Sequence, residues 1–193
     1  KSTVREALQQ SLAHRGLEVV LTREPGGTIA GESIRQLLLD PAGKLAAETE
    51  LLLMFAARAQ LVRDVIQPAI ARGAAVITDR FTDASFAYQG GGRGIPMGII
   101  AELERWAALI KPDLTFLLDV GVEVGLSRAR SRGAKFDRIE SEELDFFERV
   151  RATYRARADA DPARYRVVDA ARSPGQVSSE AIGLLTDWLD ARA

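Results

Sequence analysis

The chain has 193 residues, with 26 basic and 27 acidic side chains, 47% hydrophobic content and no cysteine. That length suits one domain with a real core. Balanced charge argues against a broad nucleic-acid or membrane footprint, and the missing thiols exclude disulfides and thiolate metal sites. No run is apolar and long enough to span a bilayer, and the polar opening has no signal-peptide core, which points to the cytosol.

The opening "KSTVREALQQSLAHRG" reads as a helix, with Val4, Leu8 and Leu12 on one face and Gly16 as its stop. Its first three residues match the second half of the phosphate-binding loop G-x-x-x-x-G-K-[ST], without the glycines or the strand that feeds them. The tripeptide is either coincidental or the tail of a loop whose first strand lies outside the given sequence. In the second case Lys1 reaches the β- and γ-phosphates and Ser2 places its hydroxyl on Mg2+. Thr3 and the open N–H groups of the first turn then hold a phosphate at the positive helix end.

"EVVLTR" reads as a strand, and "TREPGGT" turns out of it with a Pro-Gly-Gly that lets a ligand approach the backbone. Arg23 at the strand end either forks onto a phosphate or pairs with a surface glutamate. A helix "ESIRQLLLD" follows, then a long helical run from about Ala46 to Arg72, expected to bend or break before Pro68. "AAVITD" is a buried parallel strand ending in Asp79. An apolar strand ending in aspartate is the arrangement that steadies Mg2+ in P-loop enzymes, although a capping aspartate reads the same way. Behind it "DRFTDASFAYQGGGRG" offers Arg80, then Ser85, Tyr88 and Gln89, groups suited to a base. It ends in a glycine run expected not to hold a helix.

"MGIIAELERWAALI" reads as a helix, "DLTFLLDV" as a strand and "EVGLSRARSRG" as a helix with Arg128 and Arg132 on one face. Gly133 breaks that helix. The arginines serve either as a lid at about 128–141 that closes over a transferring phosphoryl group, or as a solvated face paired with "ESEE". "SEELDFFERVRATYRARAD" is a helix, "RYRVVDA" the last strand, and a helix from about Pro174 closes the chain. His14 is the single histidine and reads as a surface helical residue, which excludes histidine-based catalysis. Strands alternating with helices imply an α/β sandwich with a mostly parallel sheet and ligands at the strand carboxyl ends, where Arg23, Asp79, Arg80 and Asp119 fall.

The ordered set "KST … TREPGG … FAAR … DRF-TDAS-FAYQGGGRG … RARSRG-x3-DRIE" resembles the bacterial thymidylate kinases, P-loop enzymes that phosphorylate dTMP with ATP. The likeness runs from Lys1 to about Tyr154 and is looser beyond. It implies a P-loop NTPase-type three-layer sandwich in one domain over residues 1–193, ATP as donor, Mg2+ and a homodimer. The first strand and the glycine half of the loop would lie outside the given sequence. The resemblance also implies site roles. Arg23 and Arg80 contact the dTMP 5′-phosphate, with Glu24 and Pro25 of the turn at the same acceptor. Arg58 reaches the thymine edge, Ser85 and Gln89 bond the base, and Tyr88 packs under the deoxyribose. The aromatic that stacks on thymine in many members is replaced here by Met54, so either Met54 or, preferred, Phe55 meets the base. Lys1 acts in catalysis and, with Ser2, Thr3, Arg128 and Arg132, binds ATP. Arg132, then Arg128, is the candidate catalytic lid arginine, and Ser2, Asp79 and Glu24 arrange Mg2+ or its waters. The alternatives are another deoxynucleotide or deoxynucleoside kinase, or an inactive nucleotide-binding protein if the molecule starts at Lys1.

Overall fold

The computed structural model describes residues 1–131 and 137–192. Four strands, β1 (Val19–Arg23), β2 (Ala75–Asp79), β3 (Thr115–Asp119) and β4 (Tyr165–Asp169), alternate with helices. They form two parallel pairs, β1–β2 and β3–β4, in place of one continuous sheet among the described residues. Registers run from Val19 opposite Ala75 to Arg23 opposite Asp79, and from Thr115 opposite Tyr165 to Asp119 opposite Asp169. Each pair therefore ends together, and each ends in charged residues.

The period-two alternation of strand side chains assigns the layers. Ala75 and Ile77 of β2, with Phe116 and Leu118 of β3, pack under α1 (Ser2–His14) and α9 (Pro174–Asp190). These helices meet through Val4, Leu8 and Leu12 on one side and Val177, Ala181 and Leu185 on the other, each set at the i, i+4, i+8 spacing of one face. Val76, between Ala75 and Ile77, instead joins the cluster of Leu61, Val62, Ile66 and Phe81 on the opposite face. Helices thus cover both faces of the strands, giving three layers. A capping box between Ser173 and Gln176, with Pro174 at the first helical position, starts α9.

The long helical run does not break before Pro68. α3 (Ala47–Leu61) widens into a π turn at Val62–Ile66 and continues as α4 (Gln67–Ala71). Pro68 has no N–H to donate into the turn before it, and the widened turn accommodates that loss. Between β1 and α3, α2 (Ile29–Leu39) is capped by Thr28, whose hydroxyl accepts from Gly31 N. The expectation for the glycine run fails. α5 (Thr82–Ser85) runs into a π segment, Phe86–Gly92, that contains Gly90, Gly91 and Gly92. These glycines are demanded by packing: a Cβ on Gly91 would sit 2.0 Å from Thr153 Oγ1, and one on Gly92 would sit 2.4 Å from the Phe146 ring. Both obstacles lie on α8 (Leu144–Ala160), whose Arg149 donates to the carbonyls of Gly91 and Gly92. α6 (Met97–Leu103) with a π turn through Ala108, and α7 (Val122–Arg130), complete the chain. No helix among the described residues is long and apolar enough to cross a membrane.

Carboxylates tie α8 to α5 and to β3. Asp83 of α5 accepts from Arg157 Nε at 2.7 Å and from Arg164 Nη1 at 2.7 Å. Asp119 at the end of β3 accepts from Arg151 and Arg155 of α8. Burial pushes the Asp83 carboxyl up, but bonds from Arg164 and Tyr165 outweigh it and hold the group below the ordinary aspartate value. A depressed folded pKa contributes stability that is present above the unfolded value near 3.8 and lost as pH falls through the folded one. Asp83→Asn should therefore be less stable than the parent at pH 7 and lose less stability on acidification below about pH 4. Denaturant midpoints measured from pH 7 to pH 3 check this; parallel curves for the two proteins would refute it.

Candidate active site

The site is built on the end of the β1–β2 pair. Lys1, at the start of α1, brings Nζ within 3.7 Å of Asp79 Oδ1 at the end of β2. Beyond Arg23 the backbone still pairs, with Glu24 N donating to Asp79 O. The chain then turns through a cis Glu24–Pro25 bond and two glycines at positive φ, Gly26 at 135° and Gly27 at 80°. Only glycine adopts such angles without steric cost. Glu32 on α2 closes the turn by accepting from Gly27 N at 2.9 Å and from Arg23 Nη2 at 3.0 Å. The Gly27 N–H is the chief reason that its carboxyl lies below the ordinary glutamate value.

Arg35, which the sequence reading passed over as one residue of a helical run, donates to Pro25 O at 3.0 Å. Its pKa is lowered by burial first and then by repulsion from Arg23, with Arg80 adding to it, against partial relief from Glu32. Arg35 thus lies close enough to both Arg23 and Arg80 to be repelled by each. Such a cluster is suited to an anion with several oxygens, such as a phosphate. Arg35 carried one faint sequence signal: it lies one helical turn after Glu32, on the face that Arg23 and the turn occupy.

Arg80 itself holds φ at +73°, in the left-handed region. A non-glycine residue there costs about 1–2 kcal/mol, a strain found mostly where side-chain direction matters. Thr78 Oγ1 secures the conformation by donating to Arg80 O at 2.8 Å. The guanidinium then lies 4.8 Å from the centre of the Tyr88 ring and donates to its hydroxyl at 3.4 Å. Tyr88 meets Phe146 and Tyr154 edge-on, which fixes its ring.

Beside this cluster is a hollow with Pro25, Met54 and Ala84 as apolar wall and Arg58, Ser85 and Gln89 as polar floor. Arg58 on α3 is 1% exposed. It donates through Nε to Glu24 Oε2 at 2.8 Å, through Nη1 to Ser85 Oγ at 3.1 Å and through Nη2 to Phe81 O at 3.3 Å. Burial raises the pKa of Glu24, and the Arg58 charge opposes that rise. Glu24 Oε1 has no protein partner.

These contacts place the expected site residues. Met54 lines the hollow, whereas Phe55 is turned into the core and lies 4.5 Å beneath the Arg58 guanidinium. One residue along a helix rotates the side chain by about 100°, so the two cannot share a target. Glu24 is held by Arg58 through Oε2 alone, which leaves Oε1 without a protein partner. Arg23 is tied to Glu32 and does not line the hollow. Arg128 donates to Ala170 O and Ala171 O and so fastens α7 to the loop after β4. Arg132 lies outside the described residues. The far end of the expected 128–141 lid is a packed turn: Asp137 Oδ1 accepts from the N–H groups of Ile139 and Glu140, and Ile139 is buried against Leu38, Met54 and Phe146. Ser2 and Thr3 open α1 beside Lys1.

A sequence model of the thymidylate kinase family matches residues 1–181. A thymidylate kinase of Ectopseudomonas mendocina is 53% identical over 193 residues, covering 99% of this chain and 91% of that protein. One of Pseudomonas savastanoi pv. phaseolicola is 54% identical over 194 residues, covering 100% and 92%. Among solved structures, the thymidylate kinase of Ehrlichia chaffeensis superposes with a TM-score of 0.78 at 33% identity, over 96% of this chain and 91% of that one.

The Arg58–Glu24 pair gives the site a measurable energetic signature. Arg58→Met should destabilise the fold by about 3–5 kcal/mol, because it strands a buried carboxylate. The loss should grow from pH 5 to pH 8, since a raised glutamate pKa makes ionisation, and hence its cost, more complete as pH rises. Adding Glu24→Gln should recover part of it. Chemical denaturation of the two variants at both pH values checks each statement.

Proposed function

This chain belongs to the thymidylate kinase family, and on that premise we propose that it transfers the γ-phosphoryl group of ATP to dTMP, giving dTDP and ADP. One observation carries the assignment of the acceptor end: Arg80, which with Arg23 repels Arg35, lines a hollow shared by apolar Pro25, Met54 and Ala84 and hydrogen-bonding Arg58, Ser85 and Gln89. The cluster would take the acceptor 5′-phosphate and the hollow its pyrimidine. Met54 and Pro25 would pack on the base, Arg58, Ser85 and Gln89 would read its edge, and Tyr88 would lie under the sugar.

The acceptor oxygen is already anionic, so no strong general base is required. Catalysis is then positioning and charge neutralisation. Lys1 at the positive end of α1 would hold the donor phosphates, Thr3 and the first-turn N–H groups would support them, and Arg132 would meet the transferring group. Arg128, by gripping the loop at Ala170 and Ala171, would shape the donor side without touching the reaction.

Mg2+ fits the donors present. The described residues hold no cluster of three or more acidic or histidine ligands. Mg2+ in kinases is typically carried by one or two protein oxygens together with phosphates and water. The Ser2 hydroxyl and the Asp79 carboxylate would supply those oxygens. When bound, the ion would draw charge from the phosphate oxygens.

The whole chain would act as one domain, in the cytosol, with an arginine-rich lid at about 128–141. A homodimer is consistent with α3, which leaves Leu52, Ala56 and Gln60 exposed along one line. Light scattering giving twice the chain mass would support it.

Coupled detection of ADP should show turnover of dTMP by the full-length protein. Turnover of another nucleoside monophosphate in its place would reassign the acceptor. Arg80→Ala should lower kcat/KM for dTMP about 10- to 100-fold, the value of charged hydrogen bonds, while KM for ATP stays within a factor of two or so. Arg132→Ala should lower kcat by ~10³-fold, and an unchanged kcat would move the transition-state role to another cation.

A further inference from the structure

Glu50, on α3 one turn before Met54, is 1% exposed and carries no signal in the sequence beyond its place in an apolar helix. Its carboxylate gathers three side chains. Oε1 accepts from Gln89 Nε2 at 2.8 Å and from Arg93 Nε at 3.4 Å; Oε2 accepts from Arg93 Nη2 at 3.2 Å and from Arg138 Nη2 at 2.6 Å. Burial pushes its pKa up, but the bonds from Gln89, Arg138 and Arg93 prevail and hold it below the ordinary glutamate value. It is therefore ionised at neutral pH.

An ionised carboxylate only accepts hydrogen bonds, whereas an amide donates from one end and accepts at the other. Gln89 must turn its NH2 toward Glu50, which sends its carbonyl to the other side of the side chain. Gln89 is itself 1% exposed and lines the hollow, so it has no solvent in which to reorient freely. The pyrimidine edges differ at this point. Thymine presents an N3–H donor between two carbonyls; cytosine presents a bare N3 acceptor beside an amino group. A fixed carbonyl complements the first and opposes the second.

We infer that Glu50 is a specificity-determining positioning residue: by accepting from Gln89 Nε2 it holds the Gln89 carbonyl toward the base edge, so the hollow takes a pyrimidine bearing N3–H and rejects one without it. The inference rests on the thymidylate kinase reading and deepens it. Neighbouring Arg93 and Arg138 restrain the carboxylate from its other side, and Glu142 in turn pairs with Arg93 at 2.6 Å. The orientation of the base reader is thus built into the packing of α3, the π segment and the turn at 137–141.

The test is kcat/KM for dTMP and for dCMP in the parent, Glu50→Gln, Gln89→Leu and the double variant. Glutamine at 50 is isosteric but donates as well as accepts, so Gln89 loses its single orientation. The preference for dTMP over dCMP should fall by ~10-fold or more in Glu50→Gln, the scale on which a mismatched polar group in a closed site discriminates. Gln89→Leu should show a comparable fall, and the double variant should fall no further than Gln89→Leu alone. A purely structural Glu50 would lower both kcat/KM values in the same proportion, and an unchanged preference overturns the inference. Additive losses in the double variant also overturn it, because Glu50 would then act through another group. Should Glu50→Gln not fold, an unchanged preference in Gln89→Leu overturns the inference by itself. A parent protein with no dTMP turnover would overturn the kinase reading and this inference with it, whereas an active parent with an unaltered preference in the variants removes only the inference.

Discussion

The acceptor side of this protein depends on one ion pair that water does not reach, Arg58 with Glu24. Arg58 comes from α3, Glu24 from the turn after β1, and the remaining guanidinium donors go to Ser85 and to the carbonyl of Phe81. Three separate pieces of chain are thereby held at fixed distances around one planar group. Burying these charges is expensive, and hydrophobic residues of similar volume would stabilise the fold as well or better. What apolar replacements cannot supply is a directional, polar floor beneath an apolar wall. Phe55 and Phe81 face the same guanidinium, so its planar face is desolvated while its edge stays committed.

Next to this ion pair lies a group of cations that share the anions Glu32, Asp79 and Asp137. Glu32 accounts for Arg23, yet Arg35 feels repulsion from both Arg23 and Arg80. Arg80 is held there at the cost of a left-handed backbone. A fold tolerates repulsion and strain together where a ligand of opposite charge relieves them. The contrast between a buried ion pair and a neighbouring group of arginines separates a region suited to a base from one suited to a phosphate.

Elsewhere ion pairing recurs in another form: single carboxylates each grip two arginines. Asp83 holds Arg157 and Arg164, Asp119 holds Arg151 and Arg155, and Glu50 holds Arg93 and Arg138. Asp83 and Asp119 bind α8 to α5 and β3. Glu50 joins α3 to the π segment and to the turn at 137–141. Arginine suits this work because its donors fan out in a rigid plane, so one carboxylate can serve two partners from different directions.

The order of strands and helices, the layers and the turn at "TREPGGT" were legible in the sequence. They follow from local rules: period-two and period-3.6 burial, glycine at positive φ, a cap at a helix start. Even the glycines of "GGGRG" were visible, although their meaning was not. Propensity alone reads them as helix-breaking, while the reason they persist in a helical segment is the closeness of Thr153 and Phe146, far away in the chain. The same limit applies to the site. Residue types at strand ends marked Arg23, Asp79 and Arg80, but which guanidinium is paired, which is repelled, whether Met54 or Phe55 faces the hollow, and that Arg35 and Glu50 belong to it, depend on contacts across tens of residues. Local chemistry sets what a segment can become; partners brought by tertiary packing decide which of its side chains are spent on the fold and which remain for a ligand.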